Sequence, residues 1–451
     1  MIRALEFVDC QLETFASYPV QTAGRERMVL SMKLLMIGGG GREHALIRKL
    51  KESPRVDEIY CAPGNGGIAC DAQCVAISAM DIEGVVAFSK EHKIDLVFVA
   101  PDDPLAAGMV DALEAAGIRA FGPSRLAAEI ESSKVFSKNL MKKYGIPTAR
   151  YEVFDAPEKA LAYLLEQNTW PAVIKADGLA LGKGVVIAQD EAEAKDALHS
   201  MMEDKIFGDS GSRVVIEEFL TGPEVSVLAF TDGETVKPMV SSMDHKRAYD
   251  GDEGPNTGGM GTISPNPYYT PELAARCMEE IFLPTIRAMQ QEGRPFKGCL
   301  YFGLMLTPTG PKVIEYNSRF GDPETQVVLP RLKTPLVDIV EAVVNGSLAG
   351  QEIEWEENAC ACVVMASGGY PKAYPKGIVI EGLDENGQIP GATVYHAGTV
   401  QKDGKFFTAG GRVLGVTACG ATLQEALQKA YDGVHRICFE GAHFRSDIGH
   451  K

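Results

Sequence analysis

Residues 174–187 read Ile174-Lys175-Ala176-Asp177-Gly178-Leu179-Ala180-Leu181-Gly182-Lys183-Gly184-Val185-Val186-Ile187. The apolar run 172–175 has the length of a buried strand and ends in Lys175. The run 185–188 after the loop is a second strand. A Walker A loop requires a helix where Val185-Val186-Ile187 stands, so this is a different device. A glycine-rich loop between antiparallel strands can fold over a polyphosphate and donate backbone N–H groups along it. Lys175 behind the loop and Lys183 within it, between Gly182 and Gly184, supply positive charge. Either lysine alone fits a plain capped hairpin; the set points to a triphosphate.

A second stretch carries complementary chemistry: Val313-Ile314-Glu315-Tyr316-Asn317-Ser318-Arg319-Phe320-Gly321-Asp322-Pro323-Glu324. Period-two alternation puts Glu315 and Asn317 on one face of a strand. A carboxylate and an amide oxygen facing one way suit Mg²⁺, which takes oxygen ligands, few protein contacts and substrate phosphates. Arg319 shares that side if the strand continues, and is then an anion holder. Between the two stretches, residues 214–220 form an apolar strand bearing Glu217, Glu218, Phe219 and Leu220, with Glu224 just beyond. Such a strand can pass an adenine edge and bring a carboxylate to ribose hydroxyls, although acids on a solvated strand are common.

Toward the N-terminus, apolar runs alternate with helical stretches: strand 33–37, helix 43–51, strand 59–62, helix 82–91, strand 95–100, helix 105–116 and strand 119–121. This spacing specifies a parallel sheet with crossover helices. Gly38-Gly39-Gly40-Gly41 joins the first strand to the first helix, where free N–H groups and the helix dipole make an anion site. A dinucleotide fingerprint fails here. Its third glycine would fall on Glu43, and the second strand ends in Ala62-Pro63 where an acid belongs, which disfavours an NAD oxidoreductase. Residues 1–31 precede a second methionine, Met32, and read as an extension outside the fold. Residues 244–261 are polar and glycine-rich. Residues 354–448 are mostly strands and turns with one helix at 423–436.

The chain has 44 Lys+Arg against 61 Asp+Glu, a net charge of −17. That balance repels a nucleic-acid backbone, so an anionic ligand needs a local cationic or N–H site. No apolar run has the ~18 residues of a membrane span, and the first 31 residues lack a signal-peptide pattern. The ten cysteines include no CxxC pair and no histidines at zinc spacing, and read as scattered reduced thiols of a cytoplasmic protein.

Together these elements resemble the ATP-grasp superfamily and, within it, the glycinamide ribonucleotide synthetase family. The most specific segments are Gly40-Gly41-Arg42-Glu43-His44-Ala45, Asp244-His245-Lys246-Arg247, Gly254-Pro255-Asn256-Thr257-Gly258-Gly259-Met260-Gly261, Arg319-Phe320-Gly321-Asp322-Pro323-Glu324-Thr325-Gln326 and His396-Ala397-Gly398-Thr399. The resemblance covers about residues 32–448. It implies an α/β multidomain fold: an N-terminal parallel α/β substrate domain (32–133), an ATP-grasp α+β domain (134–350, lid about 153–222) and a small C-terminal β-rich domain (354–448). It implies a monomeric enzyme that ligates glycine to 5-phosphoribosylamine with ATP and Mg²⁺ (or Mn²⁺), through a glycyl phosphate, in purine biosynthesis. Carried over residue by residue, Glu315 and Asn317 hold the metal. Lys134, Lys175, Gly182, Lys183 and Gly184 meet the phosphates; Glu217, Glu218, Phe219 and Leu220 the adenine; Glu224 the ribose. Gly40, Gly41 and Arg42 take the 5-phosphate and Asn65 the sugar. Asp244 and Glu324 take the glycine ammonium, Arg319 a carboxylate or the transferring phosphate, and Lys246 and Asp322 also meet substrate. Lys175, Lys183, Arg319 and Asp244 carry the catalysis. The sequence departs from the family at Ala100-Pro101-Asp102, where Gly-Pro-Glu is usual, at Gly39, at Met243 and at Ser318. Gly303 stands where other ATP-grasp enzymes place a metal-binding acid.

Overall fold

In the strand Met32–Gly38, side chains alternate between two cores. Leu35 and Ile37 pack with Val97, Val99, Leu105 and Leu113, while Leu34 and Met36 pack with Leu46, Ile47 and Phe98. Both faces are covered, as a parallel sheet requires. The computed structural model describes residues 31–179, 184–206 and 208–450. The first sheet has the order Gln73–Cys74, Val56–Pro63, Met32–Gly38, Leu96–Val99, Ala120–Phe121, with every pairing parallel. The chain winds both ways from Met32–Gly38, so a crevice opens beyond the ends of that strand and Leu96–Val99. The glycine turn and Asp102 flank it.

A four-stranded antiparallel sheet follows, ordered Tyr151–Phe154, Val214–Glu218, Ala172–Ala176, Val185–Ala188, with its own core of Leu164, Ile174, Ala188, Leu198 and Ile216. The glycine loop with Lys175 leaves this sheet. A second antiparallel sheet, Val236–Pro238, Glu224–Asp232, Lys297–Thr307, Gly310–Asn317, packs one face on Leu140, Phe282 and Ile286. The last pairing carries a bulge. Gly303 is opposite Glu315, Leu304 opposite Val313, and Ile314 is the extra residue. The bulge changes the phase of the strand. Val313 and Tyr316 face the core, which leaves Glu315 and Asn317 on the open side.

The third antiparallel sheet runs Met243–Asp244, Gly261–Ser264, Ala359–Ala366, Arg412–Gly420, Thr393–His396. Its first two strands flank the polar, glycine-rich stretch 244–261, well before residue 350, so the sheet crosses the boundary expected there. Residues 271–291 form one uninterrupted helical stretch that changes type along its length. Pro271–Cys277 and Leu283–Gln291 are α-helical around a π turn at Met278–Phe282, next to Pro284, which lacks an N–H.

The expectation of reduced thiols throughout needs correction. Strand register sets Cys360 opposite Cys419 with Cα atoms 4.2 Å apart, and the two are disulfide-bonded. They are 59 residues apart in sequence, beyond the reach of any local spacing rule. Among the described residues no helix is long and apolar enough to cross a membrane.

Candidate active site

A cleft of about 1010 Å³ is lined by residues of all three antiparallel sheets, and also by Arg42 and Asp102 from the first region and by Tyr370. Glu315 Oε1 lies 3.1 Å from Nζ of Lys246, which is also 3.6 Å from Glu224 Oε2. Burial pushes the Glu315 carboxyl up, but Lys246 and Lys175 overcome it and hold the pKa down at about 2. Asn317 Oδ1 accepts a hydrogen bond from Arg319 Nη2 at 3.3 Å. Two oxygens thus face one way, each met by a cation, and this donor set fits a hard divalent ion. Among the described residues no group of three or more His, Cys, Asp or Glu is arranged to hold a metal. An ion at this pair therefore needs oxygens from a ligand, such as phosphates. A Cβ at Gly303 would come within 2.8 Å of Glu315 Cγ, so glycine is what leaves Glu315 its room.

Lys175 is buried and reaches the bulge carbonyl of Ile314 at 2.9 Å and Glu217 Oε1 at 2.9 Å. Lys134 starts the helix Lys134–Tyr144 and donates to the Gly178 carbonyl at 2.7 Å. Burial and the neighbouring Lys175 push its ammonium pKa down. One turn on, Lys138 lies 3.0 Å from Glu217 Oε2 and donates to Thr148 Oγ1 at 2.8 Å. Burial lowers its pKa to about 8 against the pull of Glu217. Sequence reasoning missed Lys138, whose i+4 spacing from Lys134 was the available signal. Glu217 and Glu218 point to opposite sides of their strand. Glu217 is held between two lysines, whereas Glu218 accepts from Arg150 N at 3.0 Å and Lys312 Nζ at 3.2 Å. Phe219, Leu220, Glu224 and Gly184 line the cleft. Gly182 and Lys183 lie outside the described residues.

At the other end, Phe320 anchors the loop after Gly310–Asn317 in a cluster with Phe98, Phe121 and Phe230. Its carbonyl accepts from Arg42 Nη1 at 3.1 Å. Arg319 Nη2 is 3.0 Å from Glu131 Oε1 and 4.0 Å from Asp102. Burial opposes its charge, but Glu131 and Asp102 raise its pKa. Asp102, shorter than the Glu usual in the family, thus still faces Arg319. Glu131 Oε2 also accepts from Ser318 N at 2.7 Å and Oγ at 2.8 Å. Asp322 is 3.3 Å from Arg412 Nη2 and accepts from Gln326 Nε2 at 2.8 Å. Burial pushes its carboxyl up, while Arg412 and Arg42 bring it below the usual range. Arg412 further donates to the carbonyls of Asp322 and Gly258. Neither Glu131 nor Arg412 sits in a stretch that the sequence marks. Asp244 and Glu324 are both buried. Burial raises both pKa values, and Glu324 raises that of Asp244 further.

The glycine turn differs from expectation in two ways. Glu43 accepts from Gly40 N at 2.6 Å and Arg42 Nε at 2.7 Å, so its carboxylate already takes two donors expected for a phosphate. Asn65 does not face the cleft. Its amide donates to the carbonyls of Gly39 at 2.9 Å and His396 at 2.7 Å, and accepts from Gly67 N and Ile68 N, both at 2.9 Å. All its hydrogen-bonding capacity goes into fastening the glycine turn to the third region, and a sugar contact would break one of those bonds.

Three family models tile the chain: the phosphoribosylglycinamide synthetase N domain over residues 32–131, its ATP-grasp (A) domain over 132–325 and its C domain over 360–451. The chain belongs to the phosphoribosylglycinamide synthetase family. It is therefore an ATP-grasp ligase, and the curated relatives agree. A phosphoribosylamine–glycine ligase of Caldanaerobacter subterraneus is 51% identical over 92% of this chain and 99% of its own length. A trifunctional purine biosynthetic protein of Gallus gallus is 49% identical over 93% of this chain, which matches 42% of that longer protein. A solved phosphoribosylamine–glycine ligase of Thermotoga maritima superposes with a TM-score of 0.78 at 34% identity, covering 92% of this chain and 100% of that one. A biotin carboxylase domain of Hydrogenobacter thermophilus, at 18% identity over 92% of each chain and a TM-score of 0.69, shares the fold.

Proposed function

We propose that the cleft performs the reaction of its family: glycine and 5-phosphoribosylamine are joined at the expense of ATP, giving glycinamide ribonucleotide, ADP and phosphate. One observation carries the reading. The oxygen pair Glu315 and Asn317 shares a single cleft with a mixed-sign set, Asp244, Arg319, Asp322, Glu324 and Arg412, suited to a zwitterion and a sugar phosphate.

A carboxylate cannot acylate an amine directly, because oxide would have to leave. Attack of a glycine carboxylate oxygen on the γ-phosphorus breaks the bond to ADP and forms an acyl phosphate. The amine then attacks the acyl carbon, the amide C–N bond forms, phosphate leaves and the amine loses a proton. The first step brings an anion to a polyanion, so charge neutralisation is the main task. Mg²⁺ or Mn²⁺ on Glu315 and Asn317 would neutralise phosphate oxygens. Lys175 and Lys134 stand behind the phosphates, and Lys183 is assigned to them from sequence. Glu217 positions Lys175, and backbone near Phe219 and Leu220 meets adenine, with Glu224 at the ribose.

Asp244 and Glu324 take the ammonium of glycine, and Arg319 its carboxylate or the transferring phosphoryl. Arg42 and Arg412 hold the 5-phosphate. The carboxylate of Asp322, beside Gly40 and Gly41, repels phosphate and fits ribose hydroxyls instead. The amine is nucleophilic as it stands, so juxtaposition replaces a dedicated base. The test is ADP formation with freshly generated phosphoribosylamine, which should require both glycine and the amine. Undiminished turnover without glycine would overturn the reading.

A further inference from the structure

Both oxygens assigned to the divalent ion are held by the protein's own cations. Lys246 Nζ sits 3.1 Å from Glu315 Oε1, and Arg319 Nη2 donates to Asn317 Oδ1 at 3.3 Å. The backbone of Lys246 is pinned, since its carbonyl accepts from Thr257 N at 2.8 Å and Thr257 Oγ1 at 2.9 Å. Its side chain is 31% exposed to the cleft and has a four-carbon stem free to turn. Two residues upstream lies Asp244, at the amino-acid end of the same cleft.

We propose that Lys246 stands in for the divalent ion in the nucleotide-free cleft, and that the arriving ion displaces its ammonium from Glu315 toward the carboxylate of glycine. This rests on the functional reading above and adds a coupling to it. An ammonium and a divalent ion cannot share one carboxylate oxygen without strong repulsion at that separation. The ion's arrival frees a cation, and the incoming amino acid needs one. Glycine that engages Lys246 in turn removes the ion's competitor. By linkage the two effects are equal, so glycine and metal strengthen each other's binding.

Equilibrium binding of Mn²⁺ to the whole protein with a non-hydrolysable ATP analogue, followed by electron paramagnetic resonance, tests this without turnover. Lys246→Met should bind Mn²⁺ about threefold tighter or more, the worth of a partly exposed ion pair. Lys246→Arg should return to the parent affinity. Lys134→Met, which removes a nearby ammonium that donates to Gly178, should change the affinity less. Glycine should tighten Mn²⁺ binding in the parent protein and leave Lys246→Met unmoved. Equal affinities for Lys246→Met and parent, an equal gain from Lys134→Met, or no effect of glycine on the parent would each overturn displacement. Glu315→Gln should lose the Mn²⁺ signal; retention would instead overturn the metal assignment beneath the proposal.

Discussion

At the end of the cleft proposed for the nucleotide, the polar side chains sit on strand and helix positions whose neighbours announce them: Lys134, Lys175, Glu217, Glu315 and Asn317. At the end proposed for the amine they are gathered from Arg42, Glu131, Asp244, Arg319, Asp322, Glu324 and Arg412, spread over all three regions of the chain. The first set is placed by local geometry, with Lys175 and Glu217 paired across neighbouring strands of one sheet. The second set is placed by packing between regions, through the Phe320 cluster and the Asp322–Arg412 pair. A substitution at the nucleotide end should therefore strike chemistry, and one at the amine end should strike a single substrate.

The sharpest way to break that contrast is Glu315→Ala. ADP formation should fall about 10³-fold, since charge neutralisation is lost at the transferring phosphoryl. Arg412→Met should raise KM for phosphoribosylamine about tenfold to a hundredfold and leave KM for ATP alone. An equal shift in both constants would place Arg412 at the nucleotide end. The pH profile comes next. Asp244 and Glu324 have raised pKa values, so they lose their charge as pH falls while still above the ordinary carboxylate range. kcat/KM for glycine should then drop by up to about tenfold per pH unit. Glu324→Gln should flatten that limb, and an unchanged profile would remove the pair from glycine binding. The smallest effect belongs to Glu218→Gln. Although Glu218 lines the cleft, its carboxylate is already engaged by Arg150 and Lys312, and steady-state constants should change by less than about twofold.

The same contrast explains what the sequence disclosed. Strands Lys297–Thr307 and Gly310–Asn317 announce themselves by apolar runs, and the helix Lys134–Tyr144 by its start after Ser133 and its stop at Gly145. Glu315 and Asn317 share a face because alternation is a local property. The bulge at Ile314 that turns this face outward is not local, since it depends on the register against Leu304. Residues 244–261 looked like one polar loop because their strands are two to four residues long, too short for any period: Arg247–Tyr249, Glu253–Asn256, and the ends at Met243–Asp244 and Gly261–Ser264. Arg412 and Glu131 stand in unremarked segments and gain meaning only from Asp322 and Arg319 opposite them. Asn65 misleads in the other direction. It sits in a conspicuous glycine-rich turn, yet its amide is spent on holding that turn to His396.

The sheet that joins Gly261–Ser264 to Ala359–Ala366 bears on how this chain can be divided. Cutting it after residue 350 would strip a neighbour from an interior strand and leave a bare hydrogen-bonding edge, a template for aggregation. The same cut would remove the guanidinium of Arg412 and leave the Asp322 carboxylate uncompensated. The final hundred or so residues are thus no appendage that an engineer can swap or delete, and a two-piece version of this protein should recover activity only when both fragments fold together.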